Sequence, residues 1–149
     1  MSGITLAPFR TEDLDALIDL WVEAWAPVLP QIDFAARRSW FEEFLTELQD
    51  GGAKIICAFD EEGLVGFITI NPGQHYIDQL AIAPRMQGNG AGHVLLEAAR
   101  NLSPQQLVLD VNTDNPRAMR FYQREGFYKI GEGIGPRSGL KTVKLEWHP

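Results

Sequence analysis

Two stretches of the chain place residues with chemical potential at informative spacing. The first is Leu80-Ala81-Ile82-Ala83-Pro84-Arg85-Met86-Gln87-Gly88-Asn89-Gly90-Ala91-Gly92-His93, a strand-like run that passes through a glycine-rich loop straight into a helical pattern. Alternating glycines let successive backbone N–H groups turn into one concavity, and a helix N-terminus adds positive potential. Such a loop holds a phosphate without any basic side chain. The dinucleotide fingerprint GxGxxG would need glycine at 93, where the chain has His93, and the P-loop GxxxxGK[ST] is absent. The second stretch, Asn115 to Phe127, sets Asn115, Ala118 and Tyr122 three and four residues apart, on one helix face. Small Ala118 lets a ligand come close to that face, and Tyr122 offers a phenolic proton. Packing of the Tyr122 ring against strands is the alternative reading.

The loop reads Gln-x-x-Gly-x-Gly over Gln87, Gly90 and Gly92. This resembles the pyrophosphate-binding motif of the GNAT N-acetyltransferase superfamily. Asn115-Pro116-Arg117-Ala118-Met119-Arg120-Phe121-Tyr122-Gln123-Arg124-Glu125-Gly126-Phe127 is similar to the later motif of that family, N-x-x-A-x-x-[FYL]-Y-x-x-x-G-F, in the same order. The resemblance covers roughly Tyr76–Ile130 and implies direct transfer of an acetyl group from acetyl-CoA to an amine, with no covalent enzyme intermediate. It implies that the backbone of Leu80, Ala81 and Ile82 pairs with pantetheine and polarises the thioester carbonyl. The loop residues Gln87, Gly88, Asn89, Gly90, Ala91, Gly92 and His93 would hold the pyrophosphate. Asn115 and Ala118 would meet the pantetheine arm, and Phe121 and Arg124 the nucleotide end. Tyr122 matches the tyrosine that protonates the leaving thiolate.

An alkyl ammonium must lose a proton before it attacks, so a base or water is needed. Asp110 matches by position the acidic residue found on this strand in ribosomal-protein N-terminal acetyltransferases. Asp78 shares a strand face with Tyr76, Leu80 and Ile82 by simple alternation, which a β-bulge would alter. Either carboxylate can serve, alone or through water. Each also has a structural reading: Asp110 satisfying the turn-rich stretch Asp110–Asn115, and Asp78 pairing with a basic residue at the strand edge. Trp25 and Trp40, with His75 and Tyr76, are the candidates for the wall that receives the acceptor, whereas helical spacing makes Trp21 core.

The elements that must position these groups follow from periodicity. Ile4–Phe9 reads as a strand, and Thr11 as the cap of an amphipathic helix through Leu14, Leu17, Ile18, Trp21, Val22 and Trp25 that ends before Pro27. Asp33 caps a second helix through Phe34, Phe41, Phe44, Leu45 and Leu48, stopped by Gly51-Gly52. Ala53–Phe59 and Leu64–Ile70 form a hairpin, followed by the strand His75–Ile82. A helix over Gly88–Arg100, a strand Leu107–Val111, a helix capped by Asn115 with Pro116 at its first position, and strands Phe127–Ile130 and Leu140–Trp147 complete the order βααβββαβαββ. The expected fold is α/β: a mixed, mostly antiparallel central sheet flanked by helices on both faces, in one domain over 1–149.

Composition bounds the rest. The chain has 149 residues, 45% of them hydrophobic, enough for one well-filled core. Lys plus Arg number 13 against 20 Asp plus Glu, a net charge of −7, which argues against wrapping nucleic acid. The single cysteine, Cys57, lies in an apolar run and reads as a buried thiol, and three scattered histidines give no metal site. Met1–Arg10 shows no leader pattern and no apolar run spans a bilayer, so the expectation is a cytoplasmic protein away from membranes. A homodimer is expected from the resemblance. A non-catalytic acyl-CoA-binding module and an unrelated nucleotide-binding domain are the competing functional readings.

Overall fold

The computed structural model describes residues 3–149, so the first two residues of the Met1–Arg10 stretch lie outside the described residues. The strands are β1 (Thr5–Pro8), β2 (Lys54–Asp60), β3 (Gly63–Asn71), β4 (Tyr76–Ile82), β5 (Leu107–Asn112), β6 (Tyr128–Ile134) and β7 (Lys141–Trp147). The helices are α1 (Leu14–Trp25), α2 (Arg38–Asp50), α3 (Ala91–Leu102) and α4 (Pro116–Arg124). The strands form one mixed sheet in the order β1-β2-β3-β4-β5-β7-β6, with the expected element order. None of the described helices is long and apolar enough to cross a membrane.

α1 and α2 bury their apolar stripes on one sheet face. Leu17, Ile18, Trp21, Phe41 and Leu45 pack with Ile55, Cys57, Phe67 and Ala81, and the Trp21 and Phe41 rings stack at 3.9 Å. α3 and α4 cover the other face, where Leu95, Leu96, Ala99 and Tyr122 meet Ile68, Ile70, Leu107, Leu109 and Leu145. Each fully buried Leu, Ile or Phe side chain contributes about 1.5–3 kcal/mol by leaving water. Asn115 caps α4 as expected, its Oδ1 accepting the Ala118 N–H at 3.2 Å. Asp33 Oδ1 accepts the Ala36 N–H at 3.1 Å, in a 3₁₀ turn (Ala35–Arg37) that leads into α2.

Three local expectations are corrected. Thr11 does not cap α1: it opens a 3₁₀ turn, and Asp13 Oδ2 instead accepts the Arg10 N–H at 2.9 Å. α3 starts at Ala91, because Gly88 and Gly90 take φ of +86° and +85°, left-handed values that end a helix. β6 continues to Ile134, since a bulge between Lys129 and Gly131 keeps the glycines in register with β7.

Two features of β4 shape everything that follows. Its only described ladder pair with β5, its parallel neighbour, is Tyr76 with Val108, where the His75 carbonyl accepts the Val108 N–H at 2.8 Å. Beyond that point the two strands splay. On its other edge Leu80 opposes Ile68 and Ile77 opposes Ile70, so Asp78 and Gln79 together oppose the single residue Thr69. This is a β-bulge, and the displaced Gln79 N–H donates to the hydroxyl of buried Thr69 at 2.9 Å. The bulge reverses parity: Asp78 stays on the face of Tyr76, while Leu80 and Ile82 point to the opposite one, against the simple alternation.

Candidate active site

The splay opens a cavity of about 890 Å³. Its floor is β4 from Tyr76 to Ile82 and β5 from Leu109 to Asn112. The glycine loop and the first turns of α3 and α4 line one end, and Trp25, Phe34, Trp40 and the β6–β7 connection line the other.

At the loop, Val94 is the first residue of α3 whose N–H closes onto a preceding carbonyl, that of Gly90 at 3.1 Å. The N–H groups of Ala91, Gly92 and His93 therefore have no helical acceptor. A Cβ on Gly88 or Gly90 would meet nothing within 4 Å, so the backbone there faces open space. A Cβ on Gly92 would lie 3.0 Å from the Phe121 ring, which is why α3 and α4 approach so closely at this point. Gln87 donates to the Ile82 carbonyl at 3.4 Å and accepts from Arg117, tying β4 to α4 across the loop. Arg85 holds Asp60 through two hydrogen bonds of 2.8 and 3.0 Å, anchoring the turn before the loop to the β2–β3 hairpin. That guanidinium holds the Asp60 carboxyl well below the usual carboxylate range, at about 2. Exposed backbone donors, a helix start and no blocking side chains suit a doubly charged phosphate group.

Of the residues read as cofactor contacts, Leu80, Ala81, Ile82, Gln87, Gly88, Gly90, Gly92, His93, Asn115, Ala118, Phe121 and Arg124 line the cavity, while the side chains of Asn89 and Ala91 do not. Asn89 is exposed with its amide near Met86, and Ala91 is buried at the start of α3. The His93 Nδ1 is engaged by Glu125 at 2.9 Å, a carboxylate that also receives Arg100.

Tyr122 lines the middle of the cavity and is almost wholly buried, edge-on to Phe121 and Phe127. Burial raises its hydroxyl well above the ordinary tyrosine value, so it keeps its proton throughout the working pH range. Both candidate carboxylates are present on the floor. Asp110 sits within β5, not at the head of a loop, and its Oδ2 accepts from the Tyr76 hydroxyl at 2.6 Å and from Lys144 at 3.2 Å. Lys144 is its cross-strand partner on β7. Asp78 faces Arg137 at 3.5 Å and Gln79 at 3.2 Å. Burial raises its carboxyl above the usual range, only partly offset by Arg137 and Gln79. Burial, then the neighbouring Asp110, also pushes the Tyr76 hydroxyl up.

Of the residues expected to receive the acceptor, Trp25, Trp40 and Tyr76 line the cavity, but His75 does not. His75 takes φ of +59° at the start of β4, and its Nδ1 lies 2.7 Å from the Ser103 hydroxyl below α3, which fixes the ring away from the cavity. Arg37, Arg137 and Lys144 also line the cavity and were missed in the sequence. For Arg137 the signal was a lone basic residue in a glycine-rich connection. For Arg37 it was a basic pair where a helix start favours acids.

The model of the Acetyltransferase (GNAT) family matches residues 14–127. The chain is 31% identical over 131 residues to the peptidyl-lysine N-acetyltransferase YjaB of Salmonella typhimurium, covering 86% of each. It is 28% identical to the mycothiol acetyltransferase of Propionibacterium freudenreichii, covering 89% of this chain and 46% of that protein. Among solved structures, the solution structure of apo YjaB from Escherichia coli superposes with a TM-score of 0.78 at 25% identity, over 97% of both chains. The PaiA N-acetyltransferase of Thermoplasma acidophilum, solved in complex with coenzyme A, superposes with a TM-score of 0.82 at 20% identity, over 98% of this chain and 99% of that one. The chain belongs to the acetyltransferase (GNAT) family and is an acetyltransferase.

Proposed function

We propose that the protein transfers the acetyl group of acetyl-CoA directly to the amine of a small molecule or peptide held in the same cavity. The observation that carries this reading is the splay of β4 from β5, which joins a cradle of unpartnered N–H groups to a buried tyrosine and two carboxylates. The first turn of α3 receives the pyrophosphate. The free edge of β4 from Leu80 to Ile82 pairs with the pantetheine amides, and an N–H of that edge polarises the thioester carbonyl. One such oxyanion donor contributes about 3–4 kcal/mol in comparable sites.

Asp78, or water held by it, takes a proton from the acceptor ammonium. Asp78 suits the task better than Asp110, because its contacts with Gln79 at 3.2 Å and Arg137 at 3.5 Å are longer than the 2.6 Å bond that Asp110 accepts from Tyr76. Its raised carboxyl brings its basicity closer to that of the group it must deprotonate. The amine nitrogen then bonds to the carbonyl carbon, the carbon–sulfur bond breaks, and the Tyr122 hydroxyl gives its proton to the departing sulfur. The products are an amide and free CoA. Similarity to peptidyl-lysine N-acetyltransferases supports a primary amine as the acceptor.

The test is thiol release from acetyl-CoA with a panel of primary amines and lysine peptides. Amine-dependent release matched by acetylated product supports the reading. CoA binding without release by any amine would reduce the protein to a binding module.

A further inference from the structure

At the acceptor end the side-chain charges do not pair off. Asp110 holds Lys144 at 3.2 Å, Glu132 holds Lys129 at 2.6 Å, and Asp78 faces Arg137 at 3.5 Å. Arg37 lines the same end, and its guanidinium makes no hydrogen bond or ion pair with any described residue. Its neighbour Arg38 is different, turned to Asp19 at 2.7 Å. In a chain of net charge −7 an unmatched, half-buried cation is not an overflow of basic residues. Nor does the local helix favour it: α2 has no acidic residue in its first turn, where negative charge would be stabilising.

Arg137 is the second guanidinium. It lies 4.4 Å from the Phe44 ring centre and 5.7 Å from that of Trp40, and its side chain is 44% exposed. Arg37 lies three residues before Trp40 in the chain and lines the same cavity as Arg137. The contact of Arg137 with Asp78 is long for a charge-assisted hydrogen bond and partly exposed, which makes it weak. Arg37 and Arg137 thus line the cavity as two cations without a well-placed acceptor.

Building on the acetyl-transfer reading above, we propose that the acceptor is an amine that also carries a carboxylate. Arg37 and Arg137 hold the carboxylate, a group that fits the guanidinium fork. Asp78, relieved of Arg137, receives the ammonium and takes its proton. The long Arg137–Asp78 contact is thus replaced by two ion pairs, one at each end of the acceptor. A diamine or polyamine brings no carboxylate and meets two guanidinium groups. The carboxylate belongs either to a free amino acid or to an acidic residue beside a peptide lysine.

The experiment compares acceptors that differ only in that group: lysine against cadaverine, and a blocked Gly-Lys-Glu peptide against Gly-Lys-Gln. The expected result is a kcat/KM about tenfold higher for the carboxylate member of one pair, and that pair identifies the source. Arg37→Gln and Arg137→Gln each collapse the preference through KM, while Arg38→Gln retains it. In the CoA-bound protein the favoured member raises the unfolding midpoint above its partner's, and the Arg37 and Arg137 variants lose that difference. Equal kcat/KM within both pairs overturns the proposal, as does a preference for the carboxylate-free members. So does a preference that survives both substitutions, or no turnover of any carboxylate-bearing amine by protein that binds acetyl-CoA. Failure to bind acetyl-CoA at all overturns the transfer reading itself, and the proposal with it.

Discussion

Tyr122 is buried and Asp78 partly buried, and burial shifts each towards its neutral form, with opposite consequences for the roles proposed. For Tyr122 the neutral form is the proton donor, so Tyr122→Phe should leave acetyl-CoA affinity unchanged and lower kcat by about 100-fold. Single-turnover kinetics check this, and a wild-type rate would remove Tyr122 from the chemistry. For Asp78, the proposed base, only the ionised form can take a proton, so kcat should rise with pH through its raised carboxyl value, above the ordinary 3.8. The same shift acts on stability: the folded state binds the extra proton, so the contribution of Asp78 is full below about 3.8 and is lost as pH rises through the raised value. Asp78→Asn is therefore expected to hold or raise the unfolding midpoint at neutral pH while lowering kcat. A lower midpoint with normal kcat would make Asp78 a structural partner of Arg137. Asn115, Ala118 and Tyr122 were legible as one helix face because their spacing is local. Arg37 and Arg137 were not, since they line one cavity only after segments 100 residues apart in the chain are brought together by the fold.

At the scale of elements, β4 lines the cavity along its whole length, and its bulge is bonded through one hydroxyl. Thr69→Val removes the oxygen that receives the Gln79 N–H and leaves that donor unsatisfied in the bulge. The expected loss is about 1–3 kcal/mol in denaturant unfolding, together with a lower kcat, whereas Thr69→Ser should keep both near wild type. Equal stability of the Val and Ser variants would show that the bulge is held by the strand pairing alone. Strand and helix positions were readable from periods of 2 and 3.6, down to the Asn115 cap. The bulge was not, because an extra residue in one strand is defined only against its neighbour, and it alone reversed the face of Leu80 and Ile82. Gly88 and Gly90 were read within or beside a helix for a similar reason: sequence shows that glycine permits a positive φ, and only the loop geometry shows that one is taken.

Across the whole molecule, two cores pack on opposite faces of the sheet. Cys57 lies in the first of them, fully buried, and burial with nearby Asp13 pushes its thiol up to about 12. Native protein should therefore resist alkylation at pH 8 and react only on unfolding, as mass spectrometry after timed labelling would show. Rapid labelling of folded protein would mean that the α1–α2 layer opens readily. The α/β class and the mostly antiparallel sheet were visible in the order of elements. The cavity itself was not, because it arises where pairing stops between two strands that are adjacent in the sheet.

Whether acetyl-CoA occupies that gap is decided by thermal unfolding with acetyl-CoA, CoA, NADH and ATP. A ligand of the native state at about 100 times its Kd adds about 2.7 kcal/mol. Acetyl-CoA and CoA should each raise the midpoint, NADH and ATP should not, and Gly90→Val, which puts a branched side chain into the phosphate cradle, should abolish the response. A folded wild-type protein indifferent to both CoA species, or equally stabilised by all four ligands, would contradict the account.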